Sequence, residues 1–285
     1  MTSGNQLGPL ARFLQRASRS FDYRVGRLQS RILCEVKERR LRLRDRQREQ
    51  SASYMKLGLN RDVGIEAING ALSDARLGVF SEDDDMFSEH LVLLGALSRN
   101  AGELKEVLEI GTYDGRTALI LSHLFPSASV TTIDLPPNDP IYGASYEVAR
   151  SNEFVNRRNE YLGRNKRVKF VEMNSLDLTR KSETDTYDLI WVDGDHDFPT
   201  VGVDLANAVR LLRPGGYLLC DDVVTAKPSR STTYLSDAAH RTLTALWQAA
   251  LIEQPTYVYK RLGKRHQHPR KFVALTTTRA RSRAT

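Results

Sequence analysis

Apolar and polar residues alternate along this chain in blocks that predict strands and helices in turn. Short apolar runs bounded by polar or glycine residues indicate buried strands, and apolar residues three or four positions apart indicate helices. Six predicted strands span 107–110, 129–134, 168–172, 188–193, 256–260 and 271–276. A further strand, the fifth in chain order, follows Gly216 and ends at Asp222. The predicted helices span 11–50, 86–97, 116–124, 146–162 and 235–251, with short helix and loop over 60–80. Strands that alternate with helices predict an α/β fold.

The first predicted helix carries a stripe of apolar residues on one face. Its members follow one another at steps of three, four or seven residues: Leu14, Phe21, Val25, Leu28, Ile32 and Val36. Such a stripe must be buried against the rest of the chain, a second subunit or a membrane surface. The many arginines also leave a nucleic-acid partner open. We favour packing against the rest of the chain or homo-oligomer formation, because these are the ordinary uses of an amphipathic helix.

Charge divides the chain into three predicted segments. Residues 1–60 carry 14 basic and 5 acidic side chains (14 − 5 = +9), and residues 254–285 carry 9 basic and no acidic ones. The intervening residues are acidic overall, although the net charge of the whole chain is +7. We predict a basic helical segment over 1–60, an α/β domain over 61–277 and a basic disordered tail over 278–285.

Composition excludes several other classes of protein. No apolar run is long enough for a transmembrane helix, and the N-terminus lacks the apolar stretch of a secretory signal. Cys34 and Cys220 lie far apart and match no zinc-site spacing. A reduced, cytoplasmic setting is therefore expected.

The turn after the first predicted strand is typical of nucleotide-binding proteins. The strand is followed by Gly111 and Gly115, and a helical pattern begins directly afterwards. Tyr113 occupies the position of the middle glycine in the dinucleotide fingerprint, which disfavours NAD. Asp134 ends the second strand about 20 residues past the turn, where a carboxylate commonly binds ribose hydroxyls.

Each later strand of the predicted parallel sheet also ends in polar residues. These are Asn174-Ser175-Leu176-Asp177, Asp193-Gly194-Asp195-His196 and Asp221-Asp222. Ligands bind at the carboxyl ends of the strands in open α/β sheets. Together with the glycine turn, this series resembles the class I S-adenosylmethionine-dependent methyltransferases over residues 80–277. The segment from Val192 to His196, followed by Leu211–Gly216 and the two aspartates, resembles the metal-dependent O-methyltransferases of the catechol, caffeoyl-CoA and antibiotic-sugar types.

The resemblance implies a Rossmann-like, doubly wound, seven-stranded sheet that ends in an antiparallel strand pair, with an N-terminal helical appendage. It also implies that S-adenosylmethionine is the cofactor. The residues expected to bind it are Glu109, Gly111, Thr112, Asp114, Gly115, Thr117, Asp134, Asn174, Ser175, Leu176 and Asp193. A helix before the first strand, capped by Asp84 or Asp85, is expected to close over the cofactor or the acceptor.

A divalent metal, with Mg²⁺ the favoured ion, is expected at Asp193, Asp221 and Asp222. Carboxylate oxygens suit this cation, which would hold an acceptor hydroxyl and lower its pKa. The alternative is that Asp221 and Asp222 are helix caps or polar groups beside the cofactor. His196 is the candidate general base and lies where catechol-type relatives carry a lysine; Asp195 is the rival base or a further ligand.

The sequence thus predicts an O-methyltransferase that acts on a hydroxyl of a sugar or a small natural product with help from a metal. Two alternatives remain: a metal-independent enzyme that acts on RNA or a larger glycan, and a non-catalytic cofactor-binding assembly protein. The chain lacks the Asn/Asp-Pro-Pro-Tyr/Phe motif after the fourth strand, which argues against methylation of base amines. The segments 136–145 and 223–233 are predicted to shape the acceptor site or to be ordinary surface loops.

Overall fold

A computed structural model of the chain describes the central sheet and most of the helices around it. It describes residues 43–82, 87–136, 139, 148–180, 186–225, 236–260 and 271–279. The apolar stripe from Leu14 to Val36, the C-terminal tail, Asp84 and Asp85, and most of the two predicted acceptor loops lie outside these residues. No helix among the described residues is both long enough and apolar enough to cross a membrane.

Helices and strands alternate through the centre of the chain, as the sequence predicts. The helices are α1 (Leu43–Lys56), α2 (Arg61–Asp74), α3 (Glu89–Ser98), α4 (Arg116–Leu124), α5 (Val148–Gly163), α6 (Thr200–Leu211) and α7 (Ala238–Gln248). The strands are β1 (Glu106–Ile110), β2 (Ser129–Asp134), β3 (Val168–Glu172), β4 (Tyr187–Val192), β5 (Leu212–Val223), β6 (Thr256–Tyr259) and β7 (Phe272–Thr277). A 3₁₀ helix spans Ser175–Arg180.

The seven strands form one sheet in the order β3-β2-β1-β4-β5-β7-β6. The first five run parallel, and β7 is antiparallel to both of its neighbours. The order reverses between β1 and β4, where ligands commonly bind in such sheets. The predicted Rossmann-like sheet with a terminal antiparallel pair is therefore confirmed.

Both faces of the sheet are covered, because neighbouring residues of each central strand point to opposite sides. Val107 and Trp191 pack beneath α2, α3 and α4 on one face, and Leu108 and Ile190 pack beneath α6 and α7 on the other. Cys220 is buried in β5, as expected for a small apolar residue. These two cores hold the carboxyl ends of β1, β2, β4 and β5 along one edge of the sheet.

Helix α1 extends beyond the predicted end at Gln50 and lies against β6. The side chain of Gln50 donates to the carbonyl of Tyr259 (3.3 Å), and that of Ser53 donates to the carbonyl of Tyr257 (2.9 Å). The hydroxyl of Tyr54 donates to Glu89 at the start of α3 (2.8 Å). This part of the predicted N-terminal segment therefore packs against the α/β domain, while the boundary at residue 60 stays a prediction.

One sequence-based expectation before β1 is corrected, and another is refined. Helix α3 begins at Glu89 with Ser88 as its N-cap residue, so it starts too late to be capped by Asp84 or Asp85. Residues 60–80 hold the 14-residue helix α2, whose N-cap Asn60 accepts hydrogen bonds from the backbone N–H groups of Asp62 and Val63. The side-chain cap of Asn60 satisfies N–H groups that a helix start otherwise leaves unpaired.

Candidate active site

A pocket of about 590 Å³ opens at the carboxyl edge of the parallel strands. It extends from the 3₁₀ helix and the end of β2, across the turns after β1 and β4, to β5 and the start of α3. The candidate residues that line it are Gly111, Thr112, Asp114, Thr117, Asp134, Asn174, Ser175, Leu176, Asp193, Asp195 and Asp221. Glu109, Gly115, His196 and Asp222 lie behind or beside its wall.

Gly111 brings the turn after β1 against the turn after β4. Its φ is +100°, and a Cβ atom at this position would lie 2.3 Å from the carbonyl oxygen of Asp193. The adjacent backbone is fixed by hydrogen bonds from Gly111 N to Ile133 O (2.9 Å) and from Asp193 N to Ile110 O (2.8 Å). Only glycine allows both this conformation and this approach, so the residue shapes the floor of the pocket.

Asp134 ends β2 with its carboxylate on the pocket. One oxygen accepts a hydrogen bond from the backbone N–H of Tyr113 (2.8 Å), and the other accepts one from Leu135 (2.8 Å). Burial raises the pKa of Asp134, although these N–H groups and the nearby Arg158 oppose the rise. Each carboxylate oxygen keeps a lone pair for another donor, which is the arrangement that two ribose hydroxyls would need.

Glu109 is buried behind the turn and does not reach the pocket surface. It accepts a hydrogen bond from the hydroxyl of Thr132 (2.5 Å), which lies 2.6 Å from that of Thr112. Burial raises the pKa of Glu109 to about 8, and the charges of Asp134 and Asp114 add to the rise. Glu109 thus supports the pocket wall, and its predicted direct contact with a cofactor stays a prediction.

The opposite end of the pocket is formed by the segment after β3. The side chain of Asn174 accepts a hydrogen bond from the backbone N–H of Leu176 (3.0 Å), and Leu176 remains 38% exposed. An exposed apolar side chain between two polar residues suits a flat base that needs stacking as well as hydrogen bonds. Beneath it lies Asp204 of α6, which is fully buried. Burial raises the pKa of Asp204 to about 6, although the nearby hydroxyl of Ser175 opposes the rise.

Replacing Asp204 with asparagine is expected to stabilise the protein above pH 6. The carboxyl of Asp204 has a pKa of about 6 in the folded chain, whereas its ordinary value is 3.8. Between pH 3.8 and pH 6 the folded state therefore binds a proton that the unfolded state has released. The free energy of unfolding of the wild type therefore falls as the pH rises through this window. The difference of about 2 pKa units corresponds to about 3 kcal/mol in favour of Asp204→Asn above pH 6.

Urea denaturation at pH 4, 5, 6 and 8 measures this effect. Asp177→Asn, a partly exposed aspartate of the 3₁₀ helix, is the control and should change stability little at any of these pH values. Equal stability of wild type and Asp204→Asn at pH 8 would contradict the account of Asp204.

Three aspartates and two lysines meet where β4, β5, β6 and β7 present residues at the same edge. Lys260 forms ion pairs with Asp221 and with Asp222 (2.5 Å for Asp222), and Lys271 forms an ion pair with Asp222. The register of β5 on β7 shifts between Cys220 and Val223, and the φ of Asp222 is +52°. This bulge places both aspartate side chains of β5 among the lysines.

Charge and burial act in opposite directions within this cluster. Burial and the neighbouring Asp221 raise the pKa of Asp193 well above its ordinary value. Burial opposes ionisation of Asp221 and Asp222 as well, but Lys260 outweighs it for both, and the pKa of each lies below its usual range. Burial lowers the pKa of His196, which favours the neutral imidazole.

The arrangement of these residues does not fit the predicted metal. No group of three or more Asp, Glu, His or Cys side chains in the described part of the chain is arranged to hold a metal ion. The carboxylates of Asp221 and Asp222 instead bind the ammonium group of Lys260. His196 lies 3.8 Å from Asp193 and 3.9 Å from Asp222, measured from Nε2 to a carboxylate oxygen. The lysine occupies one carboxylate oxygen of Asp221 and one of Asp222, so we derive no step through a metal.

Sequence reasoning missed several residues of the pocket, chiefly Ser88, His90 and Lys260. The ring of His90 stacks on that of Trp191 (centroids 5.3 Å apart), and its Nδ1 lies 2.5 Å from the hydroxyl of Ser88. The expectation of a closing helix before β1 pointed to this region but named no residue. For Lys260 the only signal was its place at the end of a predicted strand.

Comparisons with known proteins agree with the fold. Residues 108–223 match the family profile described as a methyltransferase domain. Over these residues the chain is similar to methyltransferase domains. A fatty-acid O-methyltransferase of Mycolicibacterium smegmatis is 30% identical over 166 residues, which is 57% of this chain and 54% of the relative. The chain thus spans about half the length of the curated relative that it matches.

Among solved structures of low sequence identity, one superposes with a TM-score above 0.5. The structure of a proposed O-methyltransferase from Klebsiella pneumoniae superposes with a TM-score of 0.52 at 19% identity, covering 76% of this chain and 90% of that chain. The O-methyltransferase TomG from Streptomyces achromogenes, whose structure contains S-adenosylmethionine, gives a TM-score of 0.49 at 19% identity and covers 82% of this chain and 99% of that chain.

Proposed function

We propose that this chain is an S-adenosylmethionine-dependent O-methyltransferase that acts on a hydroxyl of a sugar or a small natural product. The observation that carries the proposal is the pairing of Gly111 and Asp134 on one pocket of a methyltransferase domain. The glycine turn gives a ligand close access to backbone, and the carboxylate fits the ribose of a nucleoside. The acidic lining suits a cofactor that carries a sulfonium cation.

The order of the strands supports one direction for the bound cofactor. Its adenine would lie against Asn174, Ser175 and Leu176 beside β3, and its ribose against Asp134 at β2. The methionine part would then cross the turn after β1 toward Asp193 at β4. The end of the pocket formed by Asp221, Lys260 and His90 is left for the acceptor.

The proposed reaction transfers a methyl cation equivalent from sulfur to oxygen. A lone pair of the acceptor oxygen attacks the methyl carbon, the S–CH₃ bond breaks, and its electron pair stays on sulfur to give S-adenosylhomocysteine. The hydroxyl proton must leave the acceptor, and the neutral imidazole of His196 is the candidate base. Asp222, whose pKa lies below its usual range, is 3.9 Å from His196 and can stabilise the imidazolium that forms. Asp195 stays the rival base.

A carboxylate acceptor is the second candidate. The M. smegmatis relative is named for methylation of fatty acids, and a carboxylate is already ionised at neutral pH. Such an acceptor needs no base, so the two candidates differ in their dependence on His196. RNA or glycan acceptors and a non-catalytic assembly role remain alternatives, as does a partner at the basic N-terminal segment.

A methyl-transfer assay with radiolabelled cofactor distinguishes the acceptors. The protein is incubated with hydroxylated sugars and phenols, long-chain fatty acids or total RNA, and each labelled product is treated with mild alkali. A methyl ether keeps its label, which would support hydroxyl methylation, whereas a methyl ester releases labelled methanol. Label found only in the alkali-labile fraction would replace the first candidate with the second.

His196→Ala is expected to reduce turnover on a hydroxyl acceptor by about 100-fold, the lower range for loss of a general base, while S-adenosylhomocysteine binding stays unchanged. The histidine lies outside the pocket lining, so the variant leaves the cofactor surface intact. His123→Ala, in the last turn of α4, is the matched control and should retain full activity. Full activity of His196→Ala would remove the residue as the base.

A further inference from the structure

The topology of the sheet brings two lysines to the acceptor end of the pocket. Strand β6 is antiparallel to β7, which is antiparallel to β5, so β6 and β5 run in the same direction. Lys260 directly follows β6 and therefore lies at the same edge as Asp221 and Asp222. Lys271 precedes β7 and reaches this edge from the antiparallel strand.

The backbone of Lys260 is fixed on both sides. Its N–H donates to the carbonyl of Lys271 (2.9 Å), and its carbonyl accepts from the N–H of Glu89 at the start of α3 (3.0 Å). The position of this lysine is thus set by the sheet and by the helix that borders the pocket. Since Asp221 and Asp222 also hold its ammonium group, the side chain loses little freedom when it binds a ligand.

The side chain of Lys260 lines the pocket together with Asp221. The side chain is 17% exposed and lines the pocket, while Lys271 does not. Its hydrogen bonds to described residues go to Asp221 and Asp222, which use two of its three N–H donors. With respect to the described part of the chain, the third donor can face an oxygen atom in the pocket.

We propose that Lys260 is a built-in cation that takes the place of a divalent metal on Asp221 and Asp222 and donates a hydrogen bond to the acceptor oxygen. The hydrogen bond to the acceptor rests on the proposed methyltransferase function. The replacement of a metal ion by the lysine is independent of that function. A fixed ammonium stabilises the negative charge that develops on the acceptor as its proton leaves. Unlike a metal ion, it needs no free ligand positions and no binding equilibrium.

Mn²⁺ titration, followed by the loss of the free-ion electron paramagnetic resonance signal, tests the replacement without any acceptor. The wild type is expected to bind Mn²⁺ weakly, and Lys260→Met is expected to bind it at least about tenfold more tightly, since the carboxylates lose their internal cation. Lys105→Met makes the same change in charge at an exposed ion pair away from the cluster and is the matched control, with little gain expected. Tight Mn²⁺ binding by the wild type that is abolished in Asp221→Asn would overturn the proposal, as would equal gains in the two lysine variants.

Methyl transfer tests the hydrogen bond to the acceptor. Lys260→Met is expected to lower kcat by about tenfold or more, with the KM for S-adenosylmethionine unchanged, and Lys260→Arg should restore part of the loss. Activity of the wild type should persist in excess chelator. Loss of wild-type activity on chelation, with recovery on added Mg²⁺, would overturn the proposal. Failure to bind S-adenosylhomocysteine would instead refute the proposed function. The Mn²⁺ titration would then still test whether Lys260 takes the place of a metal ion.

Discussion

Gly111→Ala is expected to destabilise the protein by about 4 kcal/mol, the sum of a strained backbone and an overpacked contact. The φ of +100° disfavours any side chain, and the added Cβ would lie 2.3 Å from the carbonyl oxygen of Asp193. The clash is with backbone atoms, which cannot rotate away as a side chain could. Urea denaturation followed by circular dichroism measures the change.

Gly70→Ala provides the matched control for this substitution. Gly70 lies in α2, and a Cβ atom there would meet nothing within 4 Å. Alanine should stabilise the helix at this position by about 0.5–1 kcal/mol. A Gly111→Ala variant as stable as the wild type would show that the turns after β1 and β4 do not meet as described.

Asp134→Ala is expected to weaken binding of S-adenosylhomocysteine by about 1000-fold. Two hydrogen bonds from ribose hydroxyls to a carboxylate contribute about 4 kcal/mol together, which corresponds to this factor. The carboxylate also holds the backbone N–H groups of Tyr113 and Leu135, so its loss loosens the turn that faces the cofactor. Calorimetric titration at equal protein concentration measures the loss.

The control for Asp134 is an acidic residue near the same edge that does not line the pocket. Asp177→Ala in the 3₁₀ helix removes the same charge and should leave the affinity within about twofold, because surface charges are well screened. Thermal unfolding of both variants separates a lost contact from a lost fold. Unchanged affinity in a folded Asp134→Ala variant would contradict the assignment of the ribose site.

Much of the sheet could be predicted from the sequence because its strands are local, strongly apolar and bounded by polar residues. The bounds of β2 and β3 agree with the structure at every residue, and β4 differs by one residue at each end. Asp134 and Asp193 could also be placed on one edge, because parallel strands present their carboxyl ends together. The cofactor half of the candidate site follows from these short-range patterns.

The acceptor half depends on contacts between distant parts of the chain, which no local pattern encodes. Lys260 and Asp221 meet only because β7 lies between β5 and β6 and reverses direction. The substitution of an ammonium for a metal therefore could not be predicted from the aspartates alone. Similarly, α1 continues to Lys56 because Gln50 and Ser53 bind the backbone of β6, more than 200 residues away.

Binding of S-adenosylhomocysteine to the intact chain, measured by calorimetric titration beside NAD⁺, decides whether the pocket is a methyl-donor site. We predict saturable one-to-one binding of S-adenosylhomocysteine at micromolar concentrations and no binding of NAD⁺, since Tyr113 stands where a dinucleotide site needs glycine. Absence of S-adenosylhomocysteine binding by the folded protein, or preferential binding of NAD⁺, would contradict the proposed function.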